Sequence, residues 1–131
     1  MLFAGISGDF NPLHVDAEFA ARSGFGARVA HGTLTMGIAA GVLGTTLPGV
    51  GTVALSVAVD FRAPVLVGDT VTVRAEVAAI DSEHGRATMA LAWTNQRGEV
   101  VASGQAVVLP PNGRGGTTPA GVPSASPGRG S

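Results

Sequence analysis

From Gly51 to Leu109 the chain alternates apolar and small or polar residues. Val53, Leu55, Val57, Val59 and Phe61 fall on one side and Ala54, Ser56, Ala58 and Asp60 on the other, a period of two that predicts a half-buried strand. The alternation returns over Thr70–Val77, Ala87–Thr94 and Val100–Leu109. The breaks between these runs carry turn chemistry: Gly68-Asp69, Glu83-His84-Gly85 and Asn95-Gln96-Arg97-Gly98. Four strands in series with short turns predict an antiparallel meander. Upstream the pattern changes. Val29–Gly44 contains no Asp, Glu, Lys or Arg, and a helix that is apolar on every side belongs in the middle of a domain. Glycines within a helix lower its propensity, so Gly37, Gly41 and Gly44 are expected to admit close approach of neighbouring backbone. The apolar core of about fifteen residues is shorter than the roughly twenty that a membrane span needs. The fold class predicted is α+β, an antiparallel sheet against one central apolar helix.

The first part of the chain is built from short pieces. Met1–Ile6 reads as the end of a helix stopped by Ser7-Gly8, and Asp16–Ser23 as a short helix capped by Asp16 and ended at Gly24. Between them lies Ser7-Gly8-Asp9-Phe10-Asn11-Pro12-Leu13-His14. Pro12 removes an amide donor and pushes Asn11 out of the α region, which predicts a bent loop. A turn there can bring the Asp9 carboxylate and the His14 imidazole toward one point, where they could hold a water between them. Such a pair has the parts needed to add water across an activated double bond, or to remove it, by general acid and base catalysis. Spacing leaves a second reading open: Asp9 closes a turn and His14 is a satisfied, partly buried histidine.

Composition narrows the classes. The chain has 131 residues and a formal net charge of −1, enough for one domain, which is placed at 1–109. The Pro/Gly/Ser/Thr-rich stretch 110–131 is expected to be a disordered tail. With 45% hydrophobic residues, 5% aromatic and no tyrosine, the core must come mainly from Val, Ala and Leu. All eight basic residues are scattered arginines, which gives no stripe for nucleic acid. There is no cysteine, and the three histidines lack a close ligand pattern, so no metal and no cofactor are expected. Met1-Leu2-Phe3-Ala4 has neither the length nor the basic flank of a signal peptide, and the protein is expected to be cytoplasmic, off the membrane.

The eight residues from Ser7 to His14, followed by His31-Gly32 at the head of the apolar stretch, resemble the signature of the MaoC-like dehydratases, specifically their (R)-specific enoyl-CoA hydratase, or hydratase 2, group. The resemblance runs from Phe3 to Leu109. It implies a hot-dog fold, in which the antiparallel sheet wraps the central helix. It also implies (R)-specific hydration of trans-2-enoyl thioesters to (R)-3-hydroxyacyl thioesters, or the reverse dehydration. Asp9 and His14 are then the catalytic pair, and the Gly32 N–H binds the thioester carbonyl as an oxyanion donor. Asn11 shapes the turn, and His31 serves as cap or packing rather than in catalysis. The partner implied is an acyl thioester of coenzyme A or acyl carrier protein, and the assembly a homodimer or dimer of dimers. Two departures stand out. Relatives carry an N-terminal strand and most of a helix ahead of the Gly-Asp turn, so this chain is expected to start late, with that strand missing. They also often carry a polar residue about two turns into the central helix, where this chain has Ala39 and Ala40. The alternatives are a (3R)-hydroxyacyl-ACP dehydratase subunit, a hot-dog acyl-CoA thioesterase and a non-catalytic subunit of a heteromer.

Overall fold

The structure is a computed structural model that describes residues 1–111. The expected tail therefore lies, from residue 112 onward, outside the described residues. Four helices precede four strands: α1 (Leu2–Ser7), α2 (Pro12–Val15), α3 (Ala17–Ala21), α4 (Gly32–Thr45), then β1 (Val53–Phe61), β2 (Thr72–Asp81), β3 (Arg86–Thr94) and β4 (Val100–Leu109). α1 stops at Gly8, which takes φ +76°, a left-handed conformation that side chains disfavour. The segment expected as a bent loop holds one helical turn instead. Pro12 occupies its first position, where no amide donor is needed, and Asn11 caps it by accepting from Leu13 N–H at 3.0 Å.

The sheet is antiparallel with the order β1-β4-β3-β2. Only β2, β3 and β4 form the expected meander. β1 crosses to the far side of β4, so β1 and β2 are opposite edges rather than neighbours. The reason lies in the link from Arg62 to Val71, which is not a tight turn. Its Val65 carbonyl accepts from Ala30 N–H (2.6 Å), its Val67 N–H donates to the Arg28 carbonyl (3.0 Å), and Leu66 pairs with Val29. The residues just before α4 are thus an extended segment bonded to this link, and the helix begins at Gly32, as the His31-Gly32 step implied.

The core lies between the sheet and one face of α4. Ala39 and Leu43 pack with Met89, Leu91, Trp93 and Val101, all buried. Trp93 donates its indole N–H to the Thr35 carbonyl at 2.7 Å, a buried bond that fixes the sheet against the helix. Contrary to the expectation of a helix enclosed on all sides, the opposite face of α4 is open in this chain, with Leu34 and Ile38 exposed. A Cβ added at Gly37, Gly41 or Gly44 meets nothing within 4 Å, so these glycines admit no neighbouring backbone within the chain. Close approach occurs at Gly104 instead, where an added Cβ would collide with the Ala58 carbonyl of β1. The edge strands are also more open than half-buried strands should be, with Val53, Val57, Phe61, Val77 and Ile80 exposed. Among the described residues no helix is long and apolar enough to cross a membrane.

Candidate active site

Three segments are tied together where α4 starts. Leu13 O accepts from Val29 N–H at 3.1 Å, and Arg28 and Ala30 bond the Val65–Val67 stretch as described above. The loop carrying Asp9 and His14, the residues leading into Gly32, and the link after β1 therefore hold fixed positions relative to one another. Within the loop, Asp9 N–H donates to Ser7 Oγ (3.2 Å), and Asn11 N–H donates to Asp9 Oδ1 (3.1 Å). One carboxylate oxygen is thus occupied, and the other faces His14: Asp9 Oδ2 stands 3.8 Å from His14 Nε2. That gap is too long for a direct hydrogen bond.

The ring of His14 has a defined tautomer. Its Nδ1 lies 2.7 Å from the Val29 carbonyl, which can only accept, so Nδ1 carries the proton. In the neutral imidazole Nε2 is then a lone pair aimed into the gap beside Asp9. His14 keeps 14% of its side-chain surface exposed and Asp9 50%, so the histidine is held and the carboxylate is open to solvent. His31 is buried. It stands at the N-cap position of α4 but makes no side-chain cap bond; its Nε2–H donates to the Asp9 carbonyl at 2.9 Å. Its ring stacks on His14 with centroids 3.9 Å apart, and the Phe3 ring lies tilted beside it with centroids 5.0 Å apart. His31 therefore supports both members of the pair, one through a bond and one through a face.

Asp9, His14 and His31 each offer an atom, all within 4.8 Å of one another, a gathering that the sequence spacing did not suggest. It is a poor metal site. The two rings are only 26° from parallel, so their planes meet far beyond a metal–nitrogen distance of about 2.1 Å, and the lone pairs do not converge.

Gly32 occupies the first position of α4. Among the described residues its N–H meets no acceptor, as the opening amides of a helix generally do not, and the positive end of the helix dipole adds to it. A cavity of about 340 Å³ opens beside it, lined by Gly32, Thr35, Phe25, Phe61, Arg62 and Pro64 among others. Phe61 covers the glycine so closely that an added Cβ would sit 2.9 Å from its ring. Phe61, Arg62 and Thr35 were not singled out from the sequence as site residues. The available signal was the break in alternation at Phe61-Arg62-Ala63-Pro64, where a strand ends without a turn. Asp9, His14, Asn11, Gly32 and His31 all fall in this one region.

The family described as MaoC like domain matches residues 1–99. A 3-hydroxybutyryl-CoA dehydratase from Methylorubrum extorquens is 51% identical over 110 residues, which cover 83% of this chain and 69% of that protein. An (R)-specific enoyl-CoA hydratase from Aeromonas caviae is 41% identical over 109 residues, 83% of this chain and 81% of the other. Among solved structures, an (R)-hydratase from A. caviae superposes with a TM-score of 0.81 at 41% identity, covering 84% of this chain and 83% of its own.

Proposed function

We propose, from the fact that this chain belongs to the MaoC-like domain family, that it is a cytoplasmic hydro-lyase acting on 2-enoyl thioesters. The reaction is (R)-specific hydration of a trans-2-enoyl-CoA to the (R)-3-hydroxyacyl-CoA, or its reverse, as the names of the two relatives suggest. The observation that carries the reading is the open gap between Asp9 Oδ2 and the unprotonated Nε2 of His14, beside a helix whose first amide is free.

In the hydration direction the thioester carbonyl accepts from Gly32 N–H, which draws charge off the β-carbon and makes it electrophilic. The same bond strengthens as enolate character develops, a contribution of a few kcal/mol when such a donor is removed from other enzymes, about 2.7–4. A water held between Asp9 and His14 loses its proton to His14 Nε2 and adds to the β-carbon. Asp9 orients that water and assists return of the proton from His14 to the α-carbon, so that water adds whole and both groups end as they began. Asn11 keeps Asp9 in place through the turn, and His31 holds the Asp9 backbone.

A second copy completes the fold in this reading. The exposed edge of β1 from Val53 to Val59, the open face of α4 and an apolar groove of about 420 Å³ between them, lined by Met36, Ala40, Leu43, Ala54 and Val57, form one uncharged surface. An unpaired edge beside such a surface favours association, and a symmetric homodimer covers it without a second protein.

Loss of enoyl absorbance with crotonyl-CoA, followed by chiral analysis of the product, tests the activity. The expected product is (R)-3-hydroxybutyryl-CoA. An (S) product, or free acid and thiol, excludes the assignment, and a monomer by light scattering excludes the dimer.

A further inference from the structure

We infer that Asp69 is a positioning residue for His14, acting through a ladder of backbone bonds that ends on the histidine ring. The inference rests on the hydratase reading and extends it by a residue outside the cavity beside Gly32. His14 Nδ1–H donates to the Val29 carbonyl at 2.7 Å, and Val29 N–H donates to the Leu13 carbonyl at 3.1 Å. Val29 thus turns both of its own polar groups toward the loop that carries His14. Its neighbours face the other way: the Arg28 carbonyl accepts from Val67 N–H at 3.0 Å and Ala30 N–H donates to the Val65 carbonyl at 2.6 Å, so that Val29 sits opposite Leu66. Leu66 in turn directs both of its groups away from Val29, to Asp69. Its N–H donates to Asp69 Oδ2 at 2.9 Å, and its carbonyl accepts from Asp69 N–H at 3.0 Å.

Asp69 fastens the far end of this ladder. Its side chain is only 7% exposed, and its other oxygen is held from the turn between β3 and β4. Gln96 Nε2 donates to Asp69 Oδ1 at 2.8 Å, Gln96 Oε1 accepts from Thr70 N–H at 2.9 Å, and Arg97 Nη1 stands 3.8 Å from the same Oδ1. β3 and β4 are the two inner strands, so the ladder is tied to the middle of the sheet. Which nitrogen of a histidine carries the proton is set by the bond that the other makes. The Nε2 lone pair of His14 faces Asp9 only while Nδ1–H stays on the Val29 carbonyl. A carboxylate that fixes Val29 from behind therefore fixes the tautomer and the aim of the base without touching substrate. Asp81 also accepts from a backbone N–H in a turn, but both of its bonds go to the exposed His84 of that same turn.

The test measures crotonyl-CoA turnover and the ring-nitrogen chemical shifts of His14 on wild type, Asp69→Ala, Asp69→Asn and Asp81→Ala. The shifts come from a long-range nitrogen–proton correlation spectrum, assigned with His14→Ala and taken above the imidazole pKa range of about 6.5. They separate the two neutral tautomers. Wild type should carry the proton on Nδ1. Asp69→Ala should show a mixture of tautomers and lose about ten- to hundredfold in kcat, the scale of a misplaced catalytic group, with KM within about twofold. Asp69→Asn keeps an oxygen for Leu66 N–H and should recover part of both effects; it carries the test if circular dichroism shows the alanine variant unfolded. Asp81→Ala should match wild type in both. A loss of kcat with the His14 tautomer unchanged overturns the inference, because Asp69 then acts elsewhere. An unchanged kcat overturns it as well, and so does an equal loss from Asp81→Ala. A wild type inactive on crotonyl-CoA removes the hydratase reading instead, and the tautomer comparison alone then decides whether Asp69 holds His14.

Discussion

Asp9 with His14 and Asp81 with His84 are chemically the same pair in two settings, and the settings differ in geometry. His84 Nδ1 and Asp81 Oδ2 meet at 2.8 Å, both side chains at least half exposed, so each satisfies the other. The carboxylate also accepts from His84 N–H, at 3.2 Å through Oδ1, which closes the turn between β2 and β3. His14 spends its other nitrogen on a backbone carbonyl and stands 3.8 Å from Asp9, close enough to share a small molecule and too far to neutralise it. Cavity size points the wrong way. Asp81 and His84 line a cavity of about 710 Å³, twice that beside Gly32, but no free helix amide opens into it among the described residues. What separates the pairs is an unclosed gap and a neighbouring donor for a developing charge.

The sharpest break of this comparison is kinetic. Asp9→Asn and His14→Ala are each expected to lower kcat for crotonyl-CoA by at least a hundredfold, within the 10² to 10⁴ typical of general acid–base groups, and the double variant by far less than the product. Asp81→Asn and His84→Ala should leave kcat within about twofold. If either site variant keeps more than about a tenth of the rate, or if the turn variants lose as much, the two pairs are not different in kind.

The scaffold sets the next effect. Gly104 of β4 faces Val59 of β1, and an added Cβ would strike the Ala58 carbonyl, a backbone atom that can yield only by moving the strand. Gly104→Ala is expected to destabilise by about 1–3 kcal/mol, the range for overpacking. Urea unfolding measures it. β1 ends at Phe61, whose ring lies on Gly32, so kcat/KM should fall as well. At Gly32 the same substitution meets the edge of a half-exposed ring, which can turn aside, so Gly32→Ala should perturb stability much less.

The chemistry was more legible in the sequence than the placement. The run from Ser7 to His14 and the His31-Gly32 step name all five residues that the fold assembles, because a local turn and a helix start are local properties. The meander failed at β1, since alternation gives the faces of a strand but not its neighbours. The pairing partner was decided by backbone bonds from Val65 and Val67 to residues over thirty positions earlier, and these leave no trace in composition. Arg62 and Phe61 were missed for the same reason. The helix glycines misled because apolar character was read as enclosure by this chain, whereas the open face of α4 is what a second copy would cover.

The smallest effect concerns the closed pair and its dependence on pH. Hydrogen bonds from the His84 side chain and backbone hold the Asp81 carboxyl below its ordinary range. A folded value below the unfolded one means that the stabilisation is fully present above the unfolded carboxylate pKa, near 3.9. It is lost as pH falls through the folded value. Asp69 behaves alike, held down first by Gln96 and then by Leu66 N–H, and Glu99 is held down first by Arg97. Asp81→Asn should therefore melt slightly below wild type at pH 6, and the difference should close as the pH drops below about 4. Because the pair is exposed, added salt should narrow it further. The same titration followed by crotonyl-CoA turnover at pH 6 should show Asp81→Asn fully active, so that the pair contributes to the fold and not to the reaction. A difference that widens toward acid would reverse the sign of the argument and show that the carboxylate is strained rather than satisfied in the turn.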